Sequence, residues 1–329
     1  MAGVSPTAVS FVINHKEGVS EETRRNVNEV IERTNFKPSL NSRRLYFKKS
    51  FNISIVVRNT SSPFHDLFYF EIAKGLLQKS KEFGYNIVFT DISTDGNEVI
   101  LPEIIKQKDT DGIIFLQDTE KSILNEVDRH GIPYVIADAH SYSEDTACIN
   151  ADYEVSSLVA TRYLIVHGHR NIGFIGSSYI PDFYLQTFTG FRNALAEANL
   201  QLQPAWMQVD ASDENSAYKR MERIVSNPSL PTAIFCPADI YAIGAIRCAR
   251  EKGLRIPEDI SFIGIDDILL SRYCEPGLTT IRIDKEEMGC LTMETIVKKI
   301  NGQPVGTVIV KSDNLVVRDS VISIIKSEL

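Results

Sequence analysis

The sequence predicts an α/β protein whose body consists of two lobes of doubly wound parallel sheet, preceded by a small, partial all-α head. Three observations lead there. From residue 51 onward, short apolar runs alternate with amphipathic helical stretches, the pattern of β-α-β units that lay parallel strands under covering helices. These runs are too many for one compact sheet, so two lobes are expected. Before residue 51, apolar residues recur only at helical spacing. At 329 residues the chain also exceeds the reach of one hydrophobic core.

The head opens with Ser5-Pro6-Thr7-Ala8-Val9-Ser10-Phe11-Val12-Ile13-Asn14, a short helix with Ser5 as its cap and Pro6 at its first position. Ser20 caps a second helix over residues 21–33, with Glu21 and Glu22 in the first turn and Val27, Val30 and Ile31 at helical spacing. In the body, residues 53–57 read as a strand, 70–83 as a helix, 86–90 as a strand, 99–106 as a helix and 112–115 as a strand. Helices over 122–130, 155–166, 186–198 and 240–252 then alternate with strands over 134–138, 172–175, 233–236 and 261–265, and 207–210 and 308–311 are further strands.

Composition narrows the function. The chain is 43% hydrophobic and 24% charged, as ordinary globular proteins are. It has no apolar run of 18 residues and no secretory signal over its first fifteen, so a cytoplasmic protein without membrane contact is expected. Cys148, Cys236, Cys248, Cys274 and Cys290 are odd in number and lack ligand spacing, which points to reduced, mostly buried thiols and no metal. His167 and His169 flank Gly168 without a Cys or carboxylate at ligand spacing, so a role in the turn is expected of them. Net charge is −8, yet residues 1–50 hold nine Lys/Arg against five Glu, which leaves −12 on the other 279 residues. A basic head on an acidic body suits a chain whose head alone approaches double-stranded DNA. No nucleophile–base pair or metal cluster is spaced for catalysis, so neither an enzyme nor a cofactor is expected.

Longer motifs sharpen this. Residues 2–14, then Val19-Ser20-Glu21-Glu22-Thr23-Arg24 and Phe36-Lys37-Pro38, follow the pattern AGVS-x-x-TVS-R-VLN … VS-x-x-TR … Y-x-P. Pro38-Ser39-Leu40-Asn41-Ser42-Arg43-Arg44-Leu45 follows P-N-x-x-A-R-x-L. In the body, Gly168-His169-Arg170-Asn171-Ile172-Gly173-Phe174-Ile175-Gly176, Ile256-Pro257-Glu258-Asp259-Ile260-Ser261-Phe262-Ile263-Gly264-Ile265-Asp266-Asp267 and Leu315-Val316-Val317-Arg318-Asp319-Ser320 continue the series. Together they resemble the LacI/GalR family of bacterial transcriptional regulators.

The resemblance implies a helix-turn-helix head and hinge helix over residues 1–50 and a periplasmic-binding-protein-like body over 51–329. Lobe one would span about 51–150 plus 282–312, and lobe two about 151–281 plus 313–329. It implies base reading by Ser5, Pro6, Thr7 and Ser10, and phosphate contacts by Asn14, Ser20 and Thr23. In the hinge, Ser42 and Arg43 would lie on the DNA and Leu45 would wedge into the minor groove. It further implies a homodimer on a DNA operator, controlled by a small-molecule, sugar-like effector between the lobes. Phe64, Phe68, Tyr69, Asp138, Thr187 and Asp266 match effector positions. The sequence departs from the pattern at Phe11 and Thr187, where relatives commonly carry Arg, and at Ala8, where they carry Thr. The stretch of type T-I-x-D-V-A that relatives carry before Ala2 is not in this sequence, so the head is expected to lack its first helix and to leave Val9, Val12 and Val27 half-open. The second reading is a small-molecule sensor without specific DNA binding. An upstream in-frame start encoding that stretch would discriminate between the two.

Overall fold

The computed structural model describes residues 3–13, 16–34, 44, 47–57, 66–96, 98–140 and 146–325. The chain divides into two units, Met1–Phe51 and Asn52–Leu329. In the first, Ser5 Oγ accepts the Ala8 N–H at 3.2 Å and starts the helix Pro6–Ile13. Ser20 Oγ does the same for Thr23, also at 3.2 Å, at the start of the helix Glu21–Thr34. The Arg24 guanidinium donates to the Lys16 carbonyl at 2.9 Å and ties the second helix to the turn before it. The expectation of half-open valines holds for Val9 alone, since Val12 is 2% and Val27 1% exposed.

The second unit contains two six-stranded sheets. Its strands in chain order are β1 (Asn52–Val57), β2 (Asn86–Asp91), β3 (Ser93–Asp95), β4 (Glu98–Ile100), β5 (Gly112–Leu116), β6 (Tyr134–Ala137), β7 (Cys148–Ala151), β8 (Ile172–Ile175), β9 (Met207–Gln208), β10 (Ala233–Phe235), β11 (Ser261–Asp266), β12 (Thr279–Arg282), β13 (Val308–Val310) and β14 (Asn314–Val316). The first sheet runs β13-β7-β6-β5-β1-β2 with every pair parallel. The second runs β14-β12-β11-β10-β8-β9, parallel except for β12 against β14. Central strands such as β5, Gly-Ile-Ile-Phe-Leu, are buried at every position, as strands covered on both faces must be. The chain passes between the sheets after β7, after β12 and between β13 and β14.

Helices cover both sheets. The helix Leu67–Phe83 lies against Lys285–Ile300 closely enough that a Cβ on Gly75 would sit 2.0 Å from the Glu286 carbonyl oxygen, and one on Gly289 2.1 Å from that of Ile72. Only glycine permits backbones to meet at that distance. In the other lobe Gly190 plays the same part, its Cβ position 2.1 Å from the Glu154 carbonyl, between helices Pro181–Glu197 and Tyr153–Val166.

Several elements differ from the sequence expectation. Residues 98–100 form a strand paired with β3 in place of the first turns of a helix, and only Glu103–Lys106 is helical. The helix expected from residue 70 begins at Leu67, because the Asp66 carboxylate accepts the Phe68 N–H at 2.9 Å and caps it. The helix expected from 186 begins at Pro181, the ring sitting at the first position where no N–H is needed. Strands β3, β7, β12 and β14 and the helices Glu214–Val225, Leu270–Tyr273 and Lys285–Ile300 are additional to those expected.

Candidate functional site

Two carboxylates stand at C-terminal strand ends, where open α/β sheets bind ligands. Asp138 directly follows β6 with φ 62, and Asp266 ends β11 with φ 119. Positive φ in a residue other than glycine is strained backbone that only its surroundings can hold, and such strain gathers at functional sites.

Asp138 is the centre of a buried network. It is 3% exposed; the Tyr69 hydroxyl donates to its Oδ2 at 2.6 Å and the Tyr153 hydroxyl to its Oδ1 at 2.7 Å. His140 Nε2 lies 3.6 Å from Oδ1, while its Nδ1 is 3.0 Å from Asp118 Oδ2. Burial works against a charged imidazole, but the Asp138 and Asp118 carboxylates outweigh it and hold the His140 pKa above the usual histidine value. The ring also packs edge-on to Phe183 at 5.0 Å, and Gln186 Nε2 donates to the His140 carbonyl at 3.3 Å. Tyr69, Asp138 and His140 belong to elements around the first sheet, and Phe183 and Gln186 to the helix Pro181–Glu197 on the second. The network therefore spans the two lobes.

Asp266 and Asp267, both at positive φ (119 and 53), face different surroundings. Asp267 receives Arg282 Nε at 2.7 Å and a second ion pair from Arg318. Burial would raise the Asp267 carboxyl, but the Arg318 and Arg282 bonds prevail and hold it below the usual range. Asp266 lines the cleft, and burial, followed by the nearby Asp239 carboxylate, pushes its carboxyl well up. Its backbone carbonyl accepts the buried Lys285 ammonium, which also reaches the Ile283 carbonyl at 3.2 Å and the Glu71 carboxylate at 3.5 Å. Asp239 braces the following turn, accepting the Ile268 N–H at 3.2 Å, the Ser271 hydroxyl at 2.5 Å and the Thr280 hydroxyl at 2.6 Å.

The cleft between these groups encloses about 420 Å³, within the size range of small-molecule sites. Of the residues expected there, Phe68, Tyr69, Asp138 and Asp266 line it, and Phe64 lies outside the described residues. Thr187, also expected there, is not among the described lining: fully buried in its helix, it spends its hydroxyl on the Phe183 and Tyr184 carbonyls at 2.9 and 3.3 Å. Asp138 lines the cleft while its oxygens serve two tyrosines. The sequence reading missed Asp66, His140, Tyr153 and Phe183. Of these only Asp66 carries a local signal, that of a cap one residue before the apolar Leu67-Phe68-Tyr69 run.

In the head, Ser5, Thr7 and Ser20 are exposed, and Ser10 and Thr23 half-buried; Pro6 opens the first helix. Asn14, Ser42, Arg43 and Leu45 lie outside the described residues. Among the described residues no His, Cys, Asp and Glu cluster could hold a metal ion, and no helix is long and apolar enough to cross a membrane.

Comparison with known proteins completes the picture. Residues 1–39 match bacterial regulatory proteins of the lacI family, and residues 161–321 match a periplasmic binding protein-like domain. The chain is 32% identical over 325 residues to the HTH-type transcriptional repressor PurR of Pasteurella multocida strain Pm70, covering 98% of this chain and 96% of that protein. The solved complex of the transcriptional regulator CelR with cellobiose is similar at 26% identity and a TM-score of 0.73, with 97% of each chain covered. The lac repressor dimer bound to operator and the anti-inducer ONPF shares the fold at 23% identity and a TM-score of 0.77, covering 98% of this chain and 96% of that one. The chain belongs to the lacI family of bacterial regulatory proteins and is a DNA-binding transcriptional regulator.

Proposed function

We propose that this regulator is a repressor, working in the cytoplasm as a homodimer, whose affinity for its operator is set by a polyhydroxylated, sugar-like molecule held between the lobes. The observation that carries this reading is the Asp138 network together with Asp266: a cleft of about 420 Å³ with strained carboxylates at its two strand ends and aromatic rings between them. Carboxylate oxygens accept hydrogen bonds from neighbouring hydroxyls, and aromatic faces pack on the apolar face of a sugar ring. The solved complex of a similar regulator with cellobiose supports the class.

The division of labour follows the sequence pattern. Residues 1–50 serve as the DNA-binding head and hinge. Ser5, Pro6, Thr7 and Ser10 face base edges, Asn14, Ser20 and Thr23 the phosphates, and Ser42, Arg43 and Leu45 the minor groove. Residues 51–329 form the effector and dimer body. The ligand acts by its different affinity for two lobe arrangements, which is the sole source of any shift it can produce in operator binding.

The test is calorimetry of the whole chain against neutral mono- and disaccharides, repeated with Asp266→Ala. Losing a hydrogen bond to a charged group should weaken binding by about 1.5–3 kcal/mol, with the unfolding temperature of the ligand-free chain little changed. Equal affinity in the variant would remove Asp266 from the site.

A further inference from the structure

The described lining of the cleft carries five carboxylates, Asp66, Asp138, Asp213, Glu214 and Asp266, and neither Lys nor Arg. Its one basic side chain, His140, is already held between Asp118 and Asp138. Four of the acids have local partners, Glu214 among them, whose Oε1 accepts the Asn215 side-chain amide at 2.8 Å. Asp66 caps the helix Leu67–Phe83, Asp213 caps Glu214–Val225, and Asp138 takes the two tyrosine hydroxyls.

Asp266 has none. It is 9% exposed and lines the cleft, and its carboxylate has neither a hydrogen bond nor an ion pair with any described residue. The buried ammonium beside it, that of Lys285, is spent on backbone carbonyls and Glu71. A carboxylate that is mostly withdrawn from water, opens only to the cleft and lacks a protein donor is served by a bound group that supplies charge and donors. The tyrosines point the same way. Each hydroxyl has one hydrogen, and Tyr69 and Tyr153 both give theirs to Asp138, so only lone pairs remain for a ligand.

With five carboxylates and no Lys or Arg among its described lining residues, the cleft favours positive charge and repels anions, while the Gln117 amide and the Ser212 and Tyr241 hydroxyls on the same lining can still donate to ligand oxygens. Resting on the effector reading above, we propose that the effector is an amine-bearing polyhydroxy compound, of the aminosugar class, whose ammonium lies against Asp266 and Asp66, and that phosphorylated sugars are excluded. Burial raises the pKa of Asp66 as well as that of Asp266, with Asp138 adding like charge to both. A ligand ammonium would relieve that repulsion.

The experiment is calorimetry of the full chain with matched sets of probes: D-glucosamine, D-glucose and D-glucose 6-phosphate, then the corresponding galactose and mannose sets. The amine should bind at least tenfold tighter than the neutral sugar in one set or more, and its 6-phosphate partner should show no binding. Asp266→Asn, which keeps the shape and removes the charge, should cut that preference to below threefold. Should Asp266→Asn unfold, Asp66→Asn provides a second charge removal, read by the same ratio. Binding of neutral sugars without an amine preference, or binding of a 6-phosphate, overturns the proposal and leaves the polyhydroxy reading standing. Binding of no member of any set overturns both.

Discussion

At the scale of single residues, adjacent aspartates at the end of β11 are given opposite tasks by what surrounds them. Asp266 lies in a strained conformation facing the cleft, while Asp267 turns to Arg282 and Arg318 and fastens β11 and β12 to the chain after β14. Because the folded pKa of Asp267 is depressed, the bond contributes stability above its unfolded pKa of about 3.9 and loses it as pH falls through the folded value. Asp267→Asn should therefore destabilise the chain at pH 7 by about 3 kcal/mol, the low end for breaking a buried pair, since Arg282 is partly in water. Thermal unfolding of wild type and variant should show this gap at pH 7 and its narrowing as pH falls below about 4 towards the depressed folded pKa. A gap that stayed constant down to pH 3 would mean that packing, and not charge, accounts for the loss.

At the scale of elements, the body depends on helix pairs that meet backbone to backbone. Gly75→Ala would drive a methyl group into the Glu286 carbonyl and push Leu67–Phe83 away from Lys285–Ile300. Overpacking of this kind costs about 1–3 kcal/mol and more where backbone must move, which urea unfolding would measure; an unchanged midpoint would show that the pair slides freely. These elements also show what the sequence reveals and what it hides. The buried strands β1, β5, β8 and β11 are dominated by apolar residues and were legible. Strand β7, Cys-Ile-Asn-Ala, was not, since Asn150 interrupts it, and only the fold shows that its side chain accepts the Ala139 N–H at 2.8 Å. The helix Lys285–Ile300 buries Thr292 and Thr295 beside Gly289, which blurs its apolar stripe. The β3–β4 hairpin did carry a signal, Asp95-Gly96 with Gly96 at φ 58, outweighed by apolar spacing that reads equally well as helix.

At the scale of the whole molecule, the candidate site was half legible. Strand-end acids and the aromatic run at 68–69 follow from chain order, whereas Tyr153, His140 and Phe183 meet only because three crossings bring the two sheets together. The Asp138 network contains groups from both lobes, so a movement of the lobes would remake it, and under the proposed function a ligand held in the cleft would bias such a movement. To shift operator binding tenfold, the ligand need favour one arrangement by only about 1.4 kcal/mol. The most direct measurement is fluorescence anisotropy of a duplex selected from a random library by the full chain, titrated with protein with and without a saturating sugar that calorimetry has shown to bind. The account predicts a midpoint shifted at least tenfold by the sugar, and in Asp266→Ala a smaller shift that needs a higher sugar concentration to reach its full size. An identical midpoint with and without bound sugar in the wild-type chain would contradict it.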